Sequence, residues 1–185
     1  MPDEAAWETF YEPSSAVVAL LGPRPLRGDV IEFGCGYGTF TVAAATHTLG
    51  TLTALDIEAE MVAATRQRLA RAGVTNVHVV LRDAVVEGPG VPSQSQVHAM
   101  IYNLLHIEEP TTLLHDARSV LCPGGHLSVM HWRSDIETPR GPTLDIRPTP
   151  QQCASWMAEV GFTHIVPVDL GAGNPYHFGL VATAP

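Results

Sequence analysis

The stretch "VIEFGCGYG" (30–38) constrains this chain more than any other. A short apolar run, interrupted only by Glu32, leads straight into Gly34, Gly36 and Gly38 at alternate positions. Glycine adopts backbone angles closed to other residues and lets a ligand or a second segment approach the main chain closely. Such freedom directly after a buried strand places a turn at the rim of a sheet. In α/β proteins that rim is where ligands bind.

The rest of the chain supplies the sheet. Short β-type runs alternate with helical patterns, which predicts a doubly wound α/β fold. The strands are expected at 28–34, 51–56, 76–81, 97–104 and around 123–132. Two last runs, "HIVPVDL" and "YHFGLVATA", are separated by "GAGNP" and read as an antiparallel hairpin, making seven strands in a mostly parallel sheet. Helices are expected at 39–49, 58–73, 109–121 and 149–160. The clearest is 58–73, where Met61, Thr65, Leu69 and Ala72 recur at helical spacing and Gly73 follows as a stop. The stretch 87–96 has too much glycine and proline for a long helix. The 185 residues suit one domain, with residues 1–27 as an N-terminal helical cap and 28–185 as the core.

Composition excludes several chemistries. There is no lysine, so all ten basic side chains are arginine. Schiff-base catalysis and the phosphate-loop and kinase signatures all require a lysine. A net charge of −9 argues against a nucleic-acid partner. No apolar run reaches the ~18 residues of a membrane span, and the acidic start "MPDEAAWETF" is unlike a secretory leader. Cys35, Cys122 and Cys153 lack disulfide or zinc spacing. A cytoplasmic location, with no membrane partner and no metal, is the expectation.

The motifs now fall into an order. Gly34, Gly36 and Gly38 give G-x-G-x-G, with Thr39 where the dinucleotide fingerprint has its third glycine. Asp56 ends the second strand, 22 residues after Gly34. "RDA" (82–84) follows the third strand, "YNLLHIEEP" (102–110) the fourth, and "VLCPGGHLSV" (120–129) enters the fifth. In this order the sequence resembles the class I S-adenosylmethionine-dependent methyltransferases, from about Val30 to the C-terminal region. Cys122 stands where that family often has lysine, and His98 where it often has an early aspartate.

The resemblance implies a cofactor site for S-adenosylmethionine, leaving S-adenosylhomocysteine as product. Its residues would be Glu32, Gly34, Cys35, Gly36, Gly38, Asp56, Ile57, Met61, Asp83, Ala84 and Asn103. Asp56 would grip the ribose and Asp83 the adenine amino group, and Glu32 suits a cationic ligand. His106 and His131, at the ends of the fourth and fifth strands, are the candidate bases. Trp7, Phe10 and Tyr11 share one face if residues 5–13 are helical, as packing or as a lid, and Trp7 and Tyr11 are candidate substrate contacts. Arg133 and Arg140, in the proline-rich loop 131–148, are candidates to hold an anionic substrate. With no inserted substrate domain, a small-molecule acceptor is expected, and a homodimer could complete the site. Two other readings are a binding module without catalysis and a nicotinamide oxidoreductase. Against the latter stand the missing third glycine and the absent lysine.

Overall fold

A computed structural model of the protein describes residues 9–185. Seven strands form one sheet in the order β3-β2-β1-β4-β5-β7-β6. They are β1 (Asp29–Phe33), β2 (Leu52–Asp56), β3 (Val77–Leu81), β4 (Gln96–Tyr102), β5 (Leu121–Trp132), β6 (Thr163–Val168) and β7 (His177–Thr183). The first five are parallel, and β7 runs antiparallel between β5 and β6. This is the doubly wound sheet with a C-terminal hairpin expected from the sequence.

The helices are α1 (Pro13–Leu21), α2 (Thr39–Thr46), α3 (Ala59–Ala72), α4 (Ala84–Glu87), α5 (Pro110–Val120) and α6 (Pro150–Glu159). Strand alternation sorts them onto two faces. On β4, Met100 and Tyr102 point to one side, where they pack with Ala16 and Leu20 of α1, Phe40 and Ala44 of α2, and Val62 and Leu69 of α3. Ala99 and Ile101 point to the other side, with Leu113 and Ala117 of α5 and Cys153 and Met157 of α6. Burial of both faces explains why the central strands are almost continuously apolar.

Local signals set the helix ends. Gly73 closes α3 in the left-handed conformation, at φ 67°. Met61, Thr65 and Leu69 are buried along α3 as the spacing predicts, whereas Ala72 is exposed. Thr149 caps α6 with a reciprocal pair: its hydroxyl accepts from the Gln152 N–H, and its own N–H donates to the Gln152 side chain. Helix α2 stops at Thr46, short of the expected Leu49.

The N-terminal expectation is corrected. Phe10 and Tyr11 precede the first described helix, which begins at Pro13, so they share no helical face. Both are nonetheless buried against Trp132 by edge-on ring contacts. Trp7 lies outside the described residues. No helix among the described residues is long and apolar enough to cross a membrane.

The sheet order puts the functional rim in one place. The chain builds β1, β2 and β3 outward on one side, then returns to lay β4 on the other side of β1. The carboxyl ends of β1 and β4 therefore flank the point where strand order reverses, and a crevice opens there.

Candidate active site

A cavity of about 360 Å³ occupies that crevice, within the size range of small-ligand pockets. Its floor is the glycine turn. Gly34, Gly36 and Gly38 have φ of 74°, 54° and 74°, so each glycine supplies one left-handed step, and that is why they alternate. The turn is pinned from below: the N–H groups of Gly34 and Cys35 both donate to the Leu55 carbonyl, at 2.8 and 2.9 Å. A Cβ on Gly38 would lie 3.1 Å from Thr65 of α3, so this glycine seats the turn against a helix.

Asp56, at the end of β2, holds the other side of the turn. One oxygen accepts from the Gly36 N–H at 2.8 Å, and the other from the Glu58 N–H at 3.0 Å. Asp83, after β3, caps α4 by accepting from the N–H groups of Val85 and Val86 through a single oxygen. Both carboxylates line the cavity, and so do Ile57, Met61 and Ala84.

Glu32 is 2% exposed at the cavity wall and accepts a 2.6 Å bond from the Thr41 hydroxyl. Burial raises its carboxyl to about 8, and the Asp56 charge adds to the shift, while the Thr41 bond opposes it. Cys35 is a buried thiol whose ionisation burial strongly disfavours. Every cofactor residue inferred from the sequence lines this cavity except Gly38, whose part is to shape the turn.

The far end is built by the residues after β4. Asn103 adopts φ 56°, the left-handed region that asparagine tolerates better than most residues. Its N–H donates to the Met130 carbonyl at 2.7 Å, and its amide donates to the Tyr11 hydroxyl at 3.0 Å. Beyond it, His106 lines the cavity with Leu104, Ile107 and Leu113. His131 does not line it. That residue is fully buried behind His106, their rings joined Nδ1 to Nε2 at 3.3 Å.

The candidate substrate residues lie elsewhere. Tyr11 is not part of the cavity lining; it meets that lining through its hydrogen bond with Asn103 and an edge-on ring contact with Phe40. Arg133 spends its guanidinium on Asp135, with bonds of 2.9 and 2.7 Å, and Arg140 is exposed; neither lines the cavity. The arginine that matters in this loop is Arg147, which the sequence reading passed over. It donates to the carbonyls of Pro142, Arg133 and Arg140 and lies over the Trp132 ring, gathering the loop onto β5. Tyr102 and Thr39 were also missed as cavity residues. Each adjoins a residue that was found, and strand alternation or helix-start position is the signal that points to it.

Residues 30–125, just over half of the chain, match the methyltransferase-domain family. The chain belongs to that family. Among solved structures, a SAM-dependent methyltransferase from Aquifex aeolicus aligns over 99% of this chain and 94% of its own, at 20% identity and TM-score 0.81. An S-adenosylmethionine-dependent methyltransferase from Mesorhizobium loti covers 84% and 90% at 17% identity and TM-score 0.65. A geranyl diphosphate methyltransferase in complex with SAM covers 93% and 84% at 12% identity and TM-score 0.73. A search of curated proteins gives no match.

The fold and ordered motifs are those of the class I methyltransferases, whose methyl donor is S-adenosylmethionine. The cavity fits such a donor on its own terms. Two buried polar atoms on its wall, the Thr39 hydroxyl and the side-chain amide oxygen of Asn103, have no partner among the described residues. One offers a donor and the other an acceptor. A zwitterionic amino-acid head answers both at once.

Proposed function

We propose that this methyltransferase moves the methyl group of S-adenosylmethionine to a small-molecule acceptor. The observation that carries the proposal is the convergence of Asp56, Glu32 and the orphaned Thr39 and Asn103 atoms on one cavity at the strand switch. Asp56 would hold the ribose, and Asp83 the adenine among Ile57, Met61 and Ala84. The head group would lie against the glycine turn. Gly34 and Gly36 keep the backbone low there, and Glu32 would hold the ammonium. When bound, the donor supplies a methyl group already activated on a positively charged sulfur. The protein's work is then alignment and exclusion of water, which together contribute on the order of 7–11 kcal/mol in well-oriented reactions.

The acceptor end offers Leu104, Ile107 and Leu113 as apolar walls and His106 as the one titratable side chain among them. Burial lowers the His106 pKa, so the ring is neutral at pH 7 and ready to take a proton. This arrangement favours a compact, largely apolar acceptor.

The test is transfer of a labelled methyl group from S-adenosylmethionine to compounds in a metabolite extract, with calorimetry of S-adenosylhomocysteine alongside. Labelled small-molecule product and measurable binding are expected. Asp56→Ala is expected to lose most of the affinity, at least tenfold. Tight binding with label in no small molecule would refute the acceptor class. Near-normal binding by Asp56→Ala would move the ribose site elsewhere.

A further inference from the structure

The two histidines at the acceptor end are not equivalent, and their hydrogen bonds say why. His131 Nδ1 lies 3.1 Å from the Trp132 carbonyl oxygen. A carbonyl only accepts, so the proton of neutral His131 sits on Nδ1, and its Nε2 is a bare lone pair. That lone pair faces His106 Nδ1 at 3.3 Å. Two lone pairs cannot face each other in a bond, so the proton of neutral His106 sits on Nδ1 as well. Its Nε2 is left unprotonated on the side away from His131. Since His131 is 0% exposed and His106 lines the cavity, the bare nitrogen of the pair is the one available to the acceptor.

We infer that His131 is a positioning residue: an obligate acceptor that fixes the tautomer of His106, so that His106 Nε2 serves as the base for a hydroxyl acceptor. In that step the acceptor's O–H bond breaks, the proton goes to His106 Nε2, and the electron pair stays on the oxygen that takes the methyl group. The His106 Nδ1–H continues to donate to His131 throughout. Nothing in the pair has to rotate.

The surroundings hold His131 in its role. Its ring is fixed by packing on Phe178 at 6.1 Å and on His106 at 5.4 Å between centroids. The ionisable groups that act on it are His106 and, from the loop, Arg147. Burial and these neighbours keep it neutral, to about 4, with only the Trp132 bond opposing. A proton taken from the acceptor therefore stays on His106, from which it returns to water through the open cavity.

This inference rests on the methyl-transfer reading for its chemistry but not for its test. The tautomer is read by long-range 1H–15N correlation on the labelled, ligand-free protein at pH 7.5, with His106 assigned by the signals lost in His106→Gln. Wild-type His106 is expected to show a protonated Nδ1 and a bare Nε2. His131→Leu removes the acceptor and is expected to shift His106 toward the opposite tautomer. His131→Gln, whose amide oxygen reaches the place of Nε2, is expected to restore the wild-type pattern. A protonated Nε2 in the wild type, or a His106 spectrum unchanged in His131→Leu, overturns the proposal. Should His131→Leu fail to fold, the wild-type spectrum decides alone. A wild-type chain that fails to bind S-adenosylhomocysteine would refute the methyl-transfer reading and leave the histidine result standing.

Discussion

Glu32 shows how one side chain can carry two loads. It sits mid-sheet, 2% exposed, with a single short bond to Thr41 and no cation beside it among the described residues. Its raised pKa, about 8, means that the carboxyl is mostly protonated at pH 7 in the ligand-free protein. An ammonium group brought into the adjoining cavity stabilises the charged form and pulls the pKa back down. Binding is thereby coupled to loss of a proton. At pH 7, S-adenosylhomocysteine should release close to one proton per site, seen as a binding enthalpy that varies with the ionisation enthalpy of the buffer. Glu32→Gln should abolish that dependence and weaken binding roughly tenfold, about 1.4 kcal/mol. Buffer-independent heats in the wild type would place the head group away from Glu32. The sequence shows the carboxylate and its neighbouring glycines, but not the proton on it, because burial comes from contacts with α2 that no local pattern specifies.

At the scale of elements, Asn174 is the fastener between the two ends of the chain. It is 1% exposed, in the turn between β6 and β7. Its oxygen accepts from the Glu12 N–H at 3.0 Å, and its amide donates to the Leu170 carbonyl at 3.0 Å and the Ser15 hydroxyl at 3.3 Å. Asn174→Ala strands buried backbone groups and should cost about 2–3 kcal/mol, since each unsatisfied buried group costs roughly 1–3. For a chain of this size that is a drop in Tm of roughly 5–10 °C, measurable by thermal unfolding; a change below 2 °C would mean that water replaces the lost bonds. Contacts of this kind mark the limit of sequence reading here. The strands and most helices were legible because 2.0 and 3.6 periodicities are local properties. The glycine turn, Asp56 and Asp83 were legible because each follows a strand in order. The bond from Asn103 to Tyr11 joins residues 92 positions apart, and no spacing rule reaches that far. The spacing of Trp7, Phe10 and Tyr11 misled because the described helix starts only at Pro13, after Phe10 and Tyr11, and these two pack on Trp132 instead. His131 was half legible. Strand alternation puts it on the same face as Leu127 and Val129, both fully buried, so its removal from the cavity wall follows from the register of β5.

Across the whole molecule, the buried ionisable groups set a pH at which the fold is most stable. His98, His131 and His177 lie on β4, β5 and β7 and are almost fully buried. Burial is the main cause that lowers them from 6.5 to about 3, 4 and 3. His98 Nδ1 and both ring nitrogens of His177 have no partner among the described residues, so charging either ring would leave an imidazolium with an unpaired proton in the core. In the unfolded chain each titrates near 6.5. Below that pH the unfolded state binds more protons than the folded one, and stability falls as pH drops, by about 1.4 kcal/mol per unit for each histidine. Glu32 acts in the opposite sense. It is protonated in the fold up to about 8 but only to 4.5 when unfolded. Between those values the folded state binds the extra proton, and stability falls as pH rises, again by about 1.4 kcal/mol per unit. Between pH 4.5 and 6.5 three groups oppose one, so acid should win by roughly 2–3 kcal/mol per unit. Between 6.5 and 8 only the Glu32 loss remains. Stability of the ligand-free protein should therefore peak near pH 6.5, fall steeply toward pH 5 and gently toward pH 8. Urea unfolding at pH 5.0, 6.5 and 8.0 checks this directly. Glu32→Gln should flatten the alkaline limb and leave the acid limb in place, because the two limbs come from different strands. Equal stability at pH 5.0 and 6.5 would mean that the three imidazoles are reached by water in the folded state.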